Sequence, residues 1–546
     1  MKNLRMCLWI AVLTLPLCCR GQNDGGKGPA SDAVVRWHFA GRAALAQGSN
    51  ATRLKLVDAL PSTASLRSQI ASSLSGAPRK LWNNDLPAGT PNGASLLLPI
   101  FEDLLQAESY GEVRGTFGRT ETVLAIELSE ERARLWASNL SQLAAAWKQG
   151  TPAPLTRDGA TGWELKRGQA PNLFQLVRAG KWTVLALGQD RLTLAPAFLQ
   201  QIKATGRPAP ATAAELVDLD ANSPALSKWF SLFSDLDLPP FKLTISGRGE
   251  HVRTEVRLRY PAPLVLKHEA WRIPTNIISE PLSSFTVARS AAQLVNRLLN
   301  FQSLGIGAAP NQFCFWGITN DPCRVYFTFP IADAAGAMKK MAVTIPPFIE
   351  NTLGQYNGDF LYASNRNTLH WTLPYIQPYL QTMASGGMQF VHGGIFPLAP
   401  RNHPVPPELF AQIGTRTNLV YYDWEMTPFR ISHSEQLYQI LNLASHRSLQ
   451  SAGTASKLWL KDMVRELSKD TMNPSQTVTE VSQTGPNEMT LTRKSHLGLT
   501  GFEIATLSAW LDSPGFPFRY EPPHRFRSAG TNAPAGATNR PGSQKR

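Results

Sequence analysis

Cysteine is scarce in this chain and unevenly placed. Five are present, and three of them, Cys7, Cys18 and Cys19, crowd the start. Only Cys314 and Cys323 are left for the interior, which excludes a disulfide-dense scaffold and allows at most one internal bridge. Two thiols without a flanking His are too few ligands for a metal. No His-Glu-x-x-His, His-x-His or Cys-His cluster occurs, so the common built-in zinc sites are excluded as well. No Gly-x-Ser-x-Gly elbow is present, which removes the usual esterase nucleophile. "LGIGAAP" holds Gly305 and Gly307 but no third glycine, so it is not a dinucleotide loop. No cofactor is expected.

Long apolar runs are also missing. The most prominent, "MCLWIAVLTLPLCC", falls short of the roughly 20 residues that span a bilayer. It lies between the charged start Met1-Lys2-Asn3-Leu4-Arg5 and the polar exit "RGQNDGGKGP". Residues 1–21 therefore read as a cleaved export signal, with the mature chain beginning near Gln22, and the protein is expected to be periplasmic or secreted. Cleavage after Gly21 places small residues where a signal peptidase needs them. A lipid anchor on Cys18 or Cys19 is the alternative, although Leu17 stands where lipoprotein signals carry Gly, Ala or Ser. No transmembrane segment is expected once the signal is removed.

Charge is present, but little of it is concentrated. The formal net charge is +14, yet Lys2, Arg5, Arg20 and Lys27 lie at one end and Arg519, Arg525, Arg527, Arg540, Lys545 and Arg546 at the other. No Lys/Arg block marks the interior, so nucleic acid is not an expected partner. An anionic lipid or envelope polymer is the partner class that remains. In residues 525–546 Ala, Gly, Pro, Asn and Ser displace large apolar residues, and a disordered basic tail is expected there.

The stretch between is organised by recurrence. "AVVRWHFAGRAALAQG" runs from a strand into a helical pattern, and "PLSSFTVARSAAQLVNRLL" does the same. "EVRGTFGRTETVLAIELSEERARLW" reads as a hairpin feeding a helix, and "QFCFWGITNDPCRVYFTFPIADAAGAMKKMA" answers it. "GWELKRGQAPNLFQLVRAGKWTVLALG" reads as strand, short helix, strand, and "TLHWTLPYIQPYLQTMASGGMQFVHGG" repeats that order. "AAELVDLDANSPALSKWF" leads into "FKLTISGRGEHVRTEVRLRYP", as "TNLVYYDWEMTPFRISHSEQ" leads into "QTVTEVSQTGPNEMTLTRKSHLGLT". Two diverged copies are expected, residues 31–268 and 269–515. Strict apolar/polar alternation, as in "KLTISGRGEHVRTEVRLRY", points to antiparallel sheets with helices mainly on one face, an α+β class.

Candidate chemistry is thin. In "VYYDWEM", Asp423 and Glu425 are two apart and share one strand face at about 7 Å, a separation used by glycosidase carboxylate pairs. Asp220 of "VDLDANS" stands opposite Asp423 in the recurrence, which suggests a turn or capping role equally well. His392-Gly393-Gly394 resembles the oxyanion-hole turn of lipases, and the plainer reading is that the glycines end a strand with φ > 0. Tyr375, Tyr379, Tyr421, Tyr422 and Trp424 either line an apolar groove or pack a core. In "NQFCFWGITNDPCRVYFTF", a turn on Ile318 and Thr319 would set Cys314 against Cys323 at about 4.5 Å between Cα atoms, within disulfide range. An accessory bridge is expected, since the matching hairpin of the first copy has no cysteine. Two reduced structural thiols are the alternative.

"WHFAGRAAL", "NLVYYDWE" and "QTGPNEMTLTRKSHLGLTGFEIATLSAWLDSP" resemble segments of a group of exported bacterial proteins of unknown function. The resemblance covers nearly the whole mature chain and implies export and fold, not activity. No functional residue is carried over by it. The expectation is thus an exported cell-envelope protein, non-enzymatic, with a binding or structural role. The rivals are an envelope hydrolase using Asp423, Glu425 and His392, and a carrier of an apolar ligand.

Overall fold

The computed structural model describes residues 33–77, 93–116, 119–146, 150–157, 159–165, 173–188, 192–210, 215–226, 239–292, 301, 306–319, 324–353, 360–372, 376–398, 403–405, 407–444, 454–470, 474–513 and 515–517. The expected signal at 1–21, the tail at 525–546, Cys323 and Tyr375 lie outside the described residues. Within them the chain is α+β, with a 20-stranded antiparallel sheet and helices between its strands.

From one outer edge the strands run β4 (Pro152–Arg157), β5 (Ala160–Leu165), β6 (Leu173–Ala179), β7 (Trp182–Gly188), β3 (Arg119–Glu127), β2 (Ser109–Thr116), β1 (Ala33–Phe39), β8 (Glu215–Ala221), β9 (Phe241–Arg248) and β10 (His251–Arg259). Strand β10 pairs antiparallel with β22 (Glu488–Ser495), Val252 opposite Ser495 and Arg259 opposite Glu488. Beyond this seam come β21 (Gln476–Gly485), β20 (Leu419–Met426), β12 (Leu282–Arg289), β13 (Gln312–Ile318), β14 (Val325–Pro330), β18 (Met388–Gly394), β17 (Tyr379–Ser385), β16 (Thr368–Trp371) and β15 (Phe360–Ala363). A separate short ladder joins β11 (Ser279–Glu280) to β19 (His403–Pro404).

The helices among the described residues are α1 (Gly41–Gln47), α2 (Thr52–Asp58), α3 (Pro61–Ser75), α4 (Gly93–Leu104), α5 (Glu130–Ala146), α6 (Leu194–Thr205), α7 (Ser223–Leu226), α8 (Ala334–Leu353), α9 (Pro407–Gly414), α10 (Thr427–Ala444), α11 (Ala455–Leu467) and α12 (Gly501–Leu511). None is long and apolar enough to cross a membrane. Their starts follow local chemistry. Pro61 opens α3 in the first turn, where its missing N–H costs nothing. Thr500 and Glu503 form a reciprocal capping box on α12.

Because strand side chains alternate, the register assigns each residue to a face. Leu124, Asp423 and Arg493 share one face, the helix face, with Leu380 and Phe327. There α5 packs Trp136 over Leu124 and Ile126, and α8 packs Met338 and Met341 over Leu369, Leu380 and Val391. Across the seam, Val57 of α2 joins Ile431 of α10, Leu460 and Met463 of α11 and Ile504 of α12 in one buried cluster. The far face is covered by α6 near Tyr110, Val123 and Val184. Around Phe285, Val287 and Trp316 it is covered by α9 and by residues 271–278.

Two readings need correction. "NLFQLVRAG" and "PYLQTMAS" are not short helices but the strands β6 and β17; short apolar runs carry no period that separates a buried strand from a helix turn. Asp220 does not match Asp423 in position. It is exposed on the far face, opposite Arg36 and Lys242, while Asp423 is buried on the helix face.

Candidate functional site

Strand β20 does carry Asp423 and Glu425 on one face, as their spacing requires, but that face is sealed. The two residues are 3% and 1% exposed. Asp423 Oδ1 accepts the Thr286 hydroxyl at 2.5 Å. Glu425 Oε1 accepts the backbone N–H of Gly501 at 2.5 Å, at the first turn of α12, where an orphan donor and the positive helix end favour an acceptor. Arg430, from the first turn of α10, stands 3.7 Å from Glu425 Oε2 and donates to Ser284 at 2.6 Å. Nearby, Arg493 is enclosed by Glu503 at 2.7 and 2.9 Å, Thr479 at 2.9 Å and the Gly498 carbonyl at 3.1 Å.

Burial raises both carboxyls of β20 above the ordinary carboxylate range. Glu425 is raised further by Asp423, and Arg430 works against the shift in each. Three acids, Asp423, Glu425 and Glu503, face two guanidiniums, Arg430 and Arg493. The cluster thus holds one more carboxyl than it has guanidiniums, which is why Asp423 and Glu425 oppose each other's ionisation. This arrangement caps a helix and ties two helices to the sheet. A glycosidase pair must instead flank a bond in an open cleft.

His392 does not join the acids. On β18 it pairs with Thr328, and the row continues through Cys314 and Val287 to Tyr422, all on the far face. Its Nδ1 lies 3.3 Å from the Phe327 carbonyl, which can only accept, so Nδ1 donates and Nε2 accepts the Tyr379 hydroxyl. The ring stacks on Trp316 at 5.7 Å, and burial holds it down to about 4. The adjacent glycines are not at positive φ, contrary to expectation. They are required by crowding: a Cβ on Gly393 would stand 2.6 Å from Leu380, and one on Gly394 2.6 Å from Tyr326. Tyr379 and Tyr422 are core residues beside Trp424.

The cysteine geometry also departs from expectation. Cys314 stands opposite Thr328, with Gly317 opposite Val325, so the connection is longer than a turn on Ile318 and Thr319. The Cys314 thiol is buried and free, and burial pushes it far above the usual thiol range.

Three groupings were not legible in the sequence. His38 Nε2 lies 3.1 Å from Glu108, which also accepts the Tyr110 hydroxyl at 3.0 Å and Arg207 at 3.4 Å. Burial pushes Glu108 up, but the hydrogen bonds from His38 and Tyr110 and the charge of Arg207 more than reverse this. Arg289, 3% exposed, donates to the carbonyls of Leu419, Glu269, Arg416 and Thr417 and lies 4.6 Å over the Trp271 ring. His251 and His496 stack at 4.7 Å at one end of the seam. His496 is held down to about 4 by burial, then by His251 and Arg53.

No group of three or more His, Cys, Asp or Glu among the described residues is placed to hold a metal. An open hollow of about 230 Å³ between α3 and α4 is lined by Ala64, Arg67, Ser68, Glu102, Leu105 and Gln106. Comparison with protein-family models, with curated proteins and with solved structures returns no match for this chain.

Proposed function

We propose that this is an exported cell-envelope protein with a binding or structural role rather than a catalytic one, built from two diverged copies of one unit. The observation that carries the non-catalytic reading is the use of Glu425 as an acceptor for the start of α12, with Asp423 sealed beside it and His392 on the other face of the sheet. The hydrolase alternative needs those three side chains in one cleft.

The strand paths support the duplication. In residues 31–268 the first strand, β1, lies between β2 and β8; the path runs outward through β3, β7, β6, β5 and β4, and inward through β9 and β10. In residues 269–515, β12 lies between β13 and β20; β14, β18, β17, β16 and β15 follow outward, and β21 and β22 inward. Helices α5 and α8 occupy the same place in the two paths, as do α6 and α9. The positive φ of Gly41 and of Ser290 also falls just after β1 and β12, the matching strands of the two paths. The seam then joins β10 to its own counterpart β22, the pairing that a local twofold axis generates.

The reading is tested by purifying the mature protein from the cell envelope. N-terminal sequencing should place the start near Gln22, and native mass spectrometry of the same sample reads any retained lipid or polymer. Recovery from cytosol with Met1 intact removes the export claim. A hydrolytic activity abolished by Asp423→Asn in a folded protein removes the non-catalytic one. Co-purifying apolar ligand in an enclosed site favours the carrier reading.

A further inference from the structure

The far face of the seam separates its cations into two groups. Arg257 is held by Glu255 at 2.6 Å, Lys242 by Asp218 at 3.3 Å and Arg259 by Glu488 at 3.9 Å. Toward the other end, Arg253 and Lys494 stand directly opposite each other across β10 and β22, both exposed, and Arg248 is opposite His251. No carboxylate forms an ion pair with Arg248, Arg253 or Lys494 among the described residues. Like charges facing each other on neighbouring strands cost stability. A fold that answers every other cation of these strands with an acid leaves this cost in place at one spot.

A second observation marks the same spot. His251 and His496 stack there, and the Nδ1 atom of each is buried with no hydrogen-bond partner. His496 is 8% exposed, so leaving its ring nitrogen without a partner costs stability. The remaining charged neighbours are Glu250 in the β9–β10 turn, which acts on both rings, and Arg53 of α2, which is already held by Asp470 at 2.9 Å. An oxyanion seated on the exposed Arg253–Lys494 pair would offset the opposed charges, and a turn of the stacked rings toward it would give the orphaned nitrogens an acceptor.

We propose that this end of the seam binds an oxyanion of the phosphate class, with Arg253, Lys494 and Arg248 supplying charge and His251 and His496 supplying ring N–H donors. The site uses strands from both halves of the chain, so occupancy would also hold the halves together. The inference does not depend on export, and its failure would leave the reading of a duplicated, non-catalytic protein standing.

The test titrates inorganic phosphate into the full mature chain, against chloride at equal ionic strength, by calorimetry and by the histidine ring signals in NMR. Phosphate should bind and should raise the pKa of His496. In Arg253→Gln/Lys494→Gln, affinity should fall at least about tenfold, while in Arg257→Gln, whose charge is already paired, it should stay within about twofold. A second arm uses vesicles of phosphatidylglycerol against phosphatidylcholine. Binding to the former that is lost in the double variant, with no response to inorganic phosphate, assigns the oxyanion to a lipid headgroup. Response to inorganic phosphate without vesicle binding assigns it to a free anion. No response to either ligand, or an equal response in the folded double variant, overturns the proposal.

Discussion

Arg493 and Lys494 are adjacent on β22 and project from opposite faces of one sheet. Arg493 is enclosed on the helix face, its guanidinium met by Glu503, Thr479 and the Gly498 carbonyl. Lys494 is exposed on the far face and meets another cation, Arg253, across the seam. One residue of chain separates a charge that is fully answered from one that is not. A buried charge must collect partners, because desolvation is costly unless they are supplied. An exposed charge pays little for having none, so the sequence can leave it for something outside the chain.

Removing one partner on the enclosed side has the largest expected effect. Glu503→Ala leaves Arg493 buried and unpaired and should lower stability by about 3–5 kcal/mol. Arg289→Ala, which strands four carbonyls, should do likewise. Urea denaturation measures both. Replacing Arg493 and Glu503 together by Met and Leu should cost less than Glu503→Ala alone; an equal or larger loss would mean that the pair is not the unit that matters.

Acid acts on the buried titratable groups of both faces. Burial holds His392 at about 4 in the folded state against the ordinary imidazole value of 6.5, so the folded state binds fewer protons than the unfolded state between those values. Stability from this group is fully present above about pH 6.5 and is lost as pH falls, by about 3 kcal/mol at pH 4. The difference between wild type and His392→Gln should therefore shrink by that amount from pH 7 to pH 4, and a constant difference would show that His392 titrates normally. The β20 acids have the opposite sign. Their raised carboxyls favour the folded state below the unfolded value of about 4.3 and lose that contribution as pH rises. Glu425→Gln, which keeps the acceptor for Gly501, should change stability by only about 1 kcal/mol at neutral pH and should flatten the alkaline decline. The smallest effect is expected on the far face, where Arg253→Gln with Lys494→Gln should raise stability by about 0.2–1 kcal/mol in the absence of phosphate. A loss instead would mean that the opposed cations have partners of their own.

Much of the fold was legible because it is written in local periods. The alternation in "KLTISGRGEHVRTEVRLRY" gives β9 and β10, with Gly249 at positive φ in the turn, and the step from "VYYDWEM" into "TPFRIS" gives β20 and then α10. The pattern placed Asp423 and Glu425 on one face but could not say what covers it. That depends on Gly501 and Arg493, which meet them only through tertiary pairing. His392 failed for a related reason: its strand was expected, but its face is fixed by the register with β14 and β17. The His38–Glu108 contact spans 70 positions and exists because β1 pairs with β2. Arg289 carried no local signal, since its acceptors are carbonyls, which every residue has.

Among the described residues, the two strands that end the sheet differ in what they offer a neighbour. β4 begins Pro152-Ala153-Pro154, so two of its positions have no backbone hydrogen to give, and proline in a sheet belongs where that missing hydrogen faces outward. β15, Phe360–Ala363, has neither proline nor charge, and Leu361 is 64% exposed on it. An unpaired sheet edge is a template for lateral growth, and growth into a fibre requires both ends to accept a strand. With two donors missing from β4, a strand added there would form a weaker ladder than one added at β15. Replacing both prolines with Thr restores two backbone donors to this edge and should make strand addition there easier.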